Sequence, residues 1–226
     1  MSERIADTTP ETETNERLHV DLHTPEYGDK FANAKSFVKT APVIVEEVTA
    51  EGLASGAYED KGVVQNADGE YVLTTIVVNQ SKGKDGEIVR TPEEEGNYVL
   101  EPGNYIVTNP VWRPGEPRNH FVQTDRAKIE KLYEPAAADD TLEGFSFGDD
   151  ELPGVVMRPK GYSEGTIQPR KIVENDTGRE VEIDAPWGGT QLGSFDCRFA
   201  ENGGERYILS DNDFAGYVPE WQYQQR

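Results

Sequence analysis

The stretch Gly62-Val63-Val64-Gln65-Asn66-Ala67-Asp68-Gly69-Glu70-Tyr71-Val72-Leu73-Thr74-Thr75-Ile76-Val77-Val78-Asn79 decides the fold class. Two runs rich in β-branched and aromatic residues flank Asn66 to Gly69, residue types that accept the positive φ of tight turns, so the segment reads as a β-hairpin. The same grammar extends outward. Downstream, Ser81-Lys82-Gly83-Lys84-Asp85-Gly86 is a hairpin tip and 87–90 the returning strand. Upstream, 42–48 is an apolar strand, and Leu18, Val20 and Leu22 alternate with His19, Asp21 and His23 at strand period. Further on, strands at 98–100 and 105–107 flank Glu101-Pro102-Gly103-Asn104, whose Pro and Gly suit the inner positions of a type II turn. A strand at 120–123 leads into a short helix, capped by Thr124 or Asp125 and running through Glu134, with Ile129, Leu132 and Tyr133 on one face.

Residues 135–152 break this pattern. Asp139, Asp140, Glu143, Asp149, Asp150 and Glu151 occur there with no Lys or Arg, which marks an acidic linker. Beyond it, strands are expected at 154–158, 166–173 and 180–183, then a hairpin of 193–199 and 206–209 about Glu201-Asn202-Gly203-Gly204, then a helical turn at 211–217. The two halves close alike. Gly103-Asn104-Tyr105-Ile106, Phe121-Val122-Gln123-Thr124-Asp125 and Tyr133-Glu134-Pro135 are echoed by Gly193-Ser194-Phe195-Asp196, Tyr207-Ile208-Leu209-Ser210-Asp211 and Tyr217-Val218-Pro219. Each half also opens on a Val-rich strand, Val43-Ile44-Val45 and Val155-Val156-Met157. The expected fold is mainly β with short helices (α+β). Two similar antiparallel-sheet modules, 17–134 and 153–226, each end in a short C-terminal helix. A disordered tail or arm, 1–16, precedes them, and the linker 135–152 joins them.

The chain of 226 residues carries a net charge of −21, which disfavours direct contact with nucleic-acid phosphates or anionic lipid. That charge serves solubility, attracts cations or a basic partner, or imitates a phosphate array. A single cysteine, Cys197, excludes an intramolecular disulfide framework. The N-terminus lacks the basic start and apolar run of a signal peptide, and no apolar stretch is long enough to span a bilayer.

Candidate chemistry is sparse. His19-Val20-Asp21-Leu22-His23, with distant His120, suggests a metal site, but same-face strand residues lie about 7 Å apart, so an exposed edge strand explains them better. Asp211-Asn212-Asp213 departs from calcium-loop spacing and reads as a helix cap. Ser81–Gly86 lacks the order of a phosphate loop. Cys197, between Asp196 and Arg198, reads as a structural thiol. The notable basic and aromatic grouping is Trp112, Arg113, Arg118, His120 and Arg126, residue types enriched at interaction hot spots. Trp187, beside Gly188-Gly189, is a second candidate, and Tyr105 a third. No metal or cofactor is implied.

Lys39-Thr40-Ala41-Pro42-Val43-Ile44-Val45-Glu46, Glu101-Pro102-Gly103-Asn104-Tyr105 and Phe121…Leu132-Tyr133-Glu134 resemble small phage and prophage proteins of the PGDYG family. Asn104 stands where that family has Asp, 109–119 is longer than usual, and the second half resembles the family weakly. The resemblance implies a phage-type accessory protein, in the host cytoplasm or the virion, and no particular reaction. The expected function is protein–protein interaction through Tyr105, Trp112, Arg113, Arg118, Arg126 and Trp187, with Asp139, Asp140, Asp149, Asp150 and Glu151 as an acidic partner surface, including inhibition of a host protein. The alternatives are a small-molecule or nucleotide pocket between the modules, lined by Tyr105, Trp112, Arg113, Arg118, Trp187 and Asp196, or a virion structural component.

Overall fold

A computed structural model describes residues 17–82, 85–109, 115–136, 154–160 and 169–223. Its frame is two five-stranded antiparallel sheets. In the first, β3 (Val43–Glu47) is central between β7 (Tyr105–Thr108) and β10 (Val155–Pro159), with β8 (His120–Gln123) and β9 (Tyr133–Pro135) at the edges. In the second, β11 (Arg170–Glu174) is central between β14 (Arg198–Asn202) and β2 (Lys35–Lys39), with β15 (Glu205–Leu209) and β16 (Tyr217–Pro219) at the edges. The registers run in step. Met157 sits between Val43 and Pro135, as Phe37 sits between Arg170 and Pro219. Phe121 pairs with Val107, as Tyr207 pairs with Ala200.

The strands cross the expected boundary at 135–152. β10 follows that segment yet fills a place in the first sheet, while β2 precedes it and fills the matching place in the second. Thr40-Ala41-Pro42 carries the chain from one sheet to the other, and the Thr40 and Ala41 amides donate to Gly216 O at 2.8 and 3.1 Å. Val43-Ile44-Val45 and Val155-Val156-Met157 therefore do not occupy equivalent places. They pair with each other, antiparallel. Apolar content marks a strand as interior without saying which neighbour it takes. Register likewise matches Tyr105 with Arg198, which face Glu47 and Glu174, instead of with Phe195.

Smaller sheets cover these frames. β4 (Val63–Gln65), β5 (Tyr71–Lys82) and β6 (Ile88–Leu100) form the expected hairpin, extended into a three-stranded sheet. Asn66 Oδ1 holds its turn by accepting from the Asp68 and Glu70 amides. The turn at 101–104 joins β6 to a strand of another sheet, because β6 pairs with β5 and β7 with β3. With α2 (Ala50–Ser55), the hairpin sheet buries Leu53, Tyr58, Leu73, Leu100 and Ile106 against one face of the first frame. α3 (Arg126–Leu132) places Ile129 among Val43, Val45, Val107 and Met157.

On the second frame, α1 (Pro25–Asn33) and the pair β12 (Val181–Asp184) and β13 (Thr190–Gly193) enclose Tyr27, Phe31, Val181, Ile183 and Phe199. α4 (Asp211–Phe214) belongs to a cluster of Phe37, Ile172, Ala200, Leu209 and Phe214. Of the strand expected at 18–22, only β1 (Leu18–His19) forms, parallel to β12, while Val20 and Leu22 enter the core. Among the described residues no helix is long and apolar enough to cross a membrane.

Candidate functional site

A cluster of cations and aromatic rings lies where the two frames meet. Arg170 opens β11, and its guanidinium carbon is 5.0 Å from the Tyr217 ring centre and 5.9 Å from that of Tyr207. Lys39 pairs across the ladder with Tyr217 and reaches the first sheet, its Nζ 5.7 Å from the Tyr133 ring. Trp187 packs on Tyr207 with centroids 6.2 Å apart and stays 53% exposed. A tight turn aims it there: Gly188 and Gly189 adopt φ of 91° and 81°, and the Ala185 amide donates to Gly189 O. Beneath the cluster Phe214 stacks on Tyr217 and meets Phe37 edge-on.

The electrostatics of Arg170 differ from those of its neighbours. Arg17, Arg90, Arg126, Arg158, Arg198 and Arg206 each hold a carboxylate. Arg170 holds two tyrosine rings instead. Its Nε is sealed from solvent without a hydrogen-bond partner, and the side chain as a whole is half-buried. Burial pushes the Tyr207 hydroxyl pKa up, opposed by Arg170, with Tyr133, Glu205 and Asp213 adding to the rise.

Comparison with protein-family models, curated proteins and solved structures finds no match.

Of the residues singled out from sequence, Trp187 belongs to this cluster. Tyr105 is buried in β7 beside Val43, Val45 and Ile129, and its hydroxyl meets Arg126, which is paired with Glu130 at 2.6 Å. Arg118 precedes β8, close enough to His120 to repel its proton. Asp196 lies among Arg90, Arg198 and Asp211, and burial raises its pKa. Tyr105, through Tyr133, adjoins the first-sheet side of the Arg170 cluster. Trp112, Arg113, Asp139, Asp140, Asp149, Asp150 and Glu151 lie outside the described residues.

The other titratable groups are built into the fold. His120 is buried, its Nδ1 2.9 Å from Thr108 Oγ1, and burial and Lys61 lower its pKa to about 4. His19 faces Glu182 and Asp184 on β12, far along the chain from His120. Burial pushes the Cys197 thiol up to about 12, as expected of a structural cysteine. Ser210 caps α4 by accepting from the Asp213 amide at 3.1 Å, so Asp211-Asn212-Asp213 is a helix start. An open cleft of about 490 Å³ lies along α2 and β4, lined by Leu53, Tyr58, Glu59, Val63 and Tyr71.

In the sequence Tyr133, Tyr207 and Tyr217 stand in the segments that close the two halves, Lys39 heads the stretch that carries the family resemblance, and no local pattern marks Arg170. The alternation of Arg170 and Ile172 with Lys171 and Val173 puts Arg170 on the Ile172 face. What faces it there depends on strands from both ends of the chain.

Proposed function

We propose that this chain is an accessory protein of phage or prophage type that acts by binding a protein partner, and that the contact centres on Trp187 and Arg170. One observation carries the reading: an exposed tryptophan packs on a tyrosine ring that, with a second tyrosine, faces an arginine. Trp, Tyr and Arg are the residues that most often dominate binding energy at protein interfaces. The matched strand orders of the two frames support reading the chain as an internal duplication in which each copy donates one strand to the other. That reading agrees with the resemblance in both halves. Asp139, Asp140, Asp149, Asp150 and Glu151 supply an acidic surface that steers a partner of opposite charge without fixing its pose.

Affinity capture from a host lysate, repeated across salt concentrations, tests this. A partner retained by the native chain is expected to be lost with Trp187→Ala, while charge reversal at 139–151 weakens capture chiefly at low salt. Capture that Trp187→Ala leaves unchanged, in a variant with native circular dichroism, overturns the assignment of this surface.

A further inference from the structure

We propose that the Arg170 cluster is a carboxylate-binding site, taking from the partner a singly charged carboxylate carried next to an apolar or aromatic group. This rests on the protein-binding reading above and names the chemistry that the surface recognises.

Arg170 shows the marks of a pre-organised anion receptor. Two rings, at 5.0 and 5.9 Å, and a sealed Nε hold its planar guanidinium in one orientation. The residue is half-buried and not fully enclosed, and its terminal nitrogens form the fork that matches a carboxylate. A guanidinium withdrawn from water gains most from a carboxylate, and six other arginines of this chain have one from the protein itself. With 43 Asp and Glu against 22 Lys and Arg, carboxylates are abundant, yet among the described residues the groups facing Arg170 are tyrosine rings. Lys39 adds a second cation on the same sheet face, two residues along β2 from Phe37, the ladder partner of Arg170.

The surroundings select the kind of anion. A chain of net charge −21 repels polyphosphates and other multiply charged ligands at long range, whereas one negative charge meets a weak penalty. Trp187, 53% exposed, packs on Tyr207, one of the two rings that face Arg170, and adds aromatic surface to the cluster. An apolar or aromatic group next to the carboxylate gains area there that inorganic phosphate or acetate lacks. A chain-terminal carboxylate on an aromatic residue, or an acidic side chain beside one, fits both halves of the site.

The test uses the full chain and two small probes, N-acetyl-phenylalanine and its amide, with inorganic phosphate as a third arm. Arginine Nε–Hε resonances and tryptophan fluorescence report binding. The free acid is expected to shift the Arg170 resonance and quench Trp187, and the amide and phosphate to do neither. Arg170→Lys keeps a charge but loses the fork and is expected to weaken the acid roughly tenfold. Arg170→Gln is expected to abolish the response. Acid and amide acting alike, phosphate acting more strongly than the acid, or Arg170→Gln responding as the native chain does, each overturns the proposal. If the acid binds as expected but Arg170→Gln and Trp187→Ala still capture the same partner, the carboxylate site stands and the protein-contact reading falls. If those variants lose the partner while the acid fails, the reverse holds.

Discussion

Glu95 is the extra residue of the β-bulge in the long hairpin, since Thr75 pairs with Gly96 and Ile76 with Glu94. The bulge turns its carboxyl toward Gln191, whose amide already spans both backbone groups of Ile208, at 2.7 and 3.1 Å. Burial there, with Asp213 nearby, pushes the Glu95 pKa up to about 7 from an ordinary 4.5. The folded state therefore holds this proton more tightly than the unfolded chain does. Its contribution to stability is complete below pH 4.5, erodes as pH rises through 7, and is absent above. Glu95→Gln is expected to match the native chain in acid and to exceed it above neutrality by up to roughly 3 kcal/mol. Urea midpoints for both chains between pH 4 and 8 would show it, and a difference independent of pH would mean that Glu95 ionises normally. No feature of the sequence marked Glu95, because its neighbour Gln191 lies 96 positions away and the bulge has no local signature.

Among the elements, α2 is the clearest case of a structure held by its surroundings. Six residues are too few for a helix to persist alone. Thr49 Oγ1 accepts from the Gly52 amide at 3.0 Å, and Gly56 ends the helix at φ 75°. The Tyr58 hydroxyl accepts from the Thr49 amide at 3.0 Å and donates to Glu47 O at 3.2 Å, tying the helix start to the end of β3. Gly52 leaves the room for that ring, since a Cβ there would stand 2.4 Å from the tyrosine oxygen. Tyr58→Phe strands two backbone groups and is expected to cost roughly 1–3 kcal/mol, read as a lower urea midpoint at unchanged slope. An unchanged midpoint would mean that water replaces the hydroxyl. What was legible at this scale was whatever is local: the Asn66–Gly69 turn, the Asp125 cap of α3 and the helix start at Asp211-Asn212-Asp213, which the structure shows to be capped by Ser210. α1 has a local signal too, with Thr24 as cap and Pro25 in its first turn, but the alternation of Leu18, Val20 and Leu22 upstream suggests strand. β2, reading Lys-Ser-Phe-Val-Lys, is unremarkable until β11 and β16 flank it.

Over the whole molecule the decisive feature is that neither frame is complete without the other half of the chain. Cut between 136 and 154, the N-terminal piece keeps β2 but lacks β10, so β9 loses the strand it pairs with in the first frame. The C-terminal piece keeps β10 but lacks β2, and β16 is stranded in the same way. Each piece carries the strand that the other needs. The carboxylate-site residues divide likewise, with Lys39 and Tyr133 on one side of the cut and Arg170, Trp187, Tyr207 and Tyr217 on the other. The sequence pattern suggested two modules because each half repeats the same turns and caps. It could not show which sheet each strand joins, since pairing between strands over a hundred residues apart leaves no trace in local periodicity. A chain with a protease site inserted between 136 and 154 is expected, after cleavage, to elute as one particle of the intact mass. It should also unfold in a single transition, because docking of β2 and β10 couples the frames. Two folded fragments separating on the column without denaturant would mean that β2 and β10 are dispensable and that each frame stands alone.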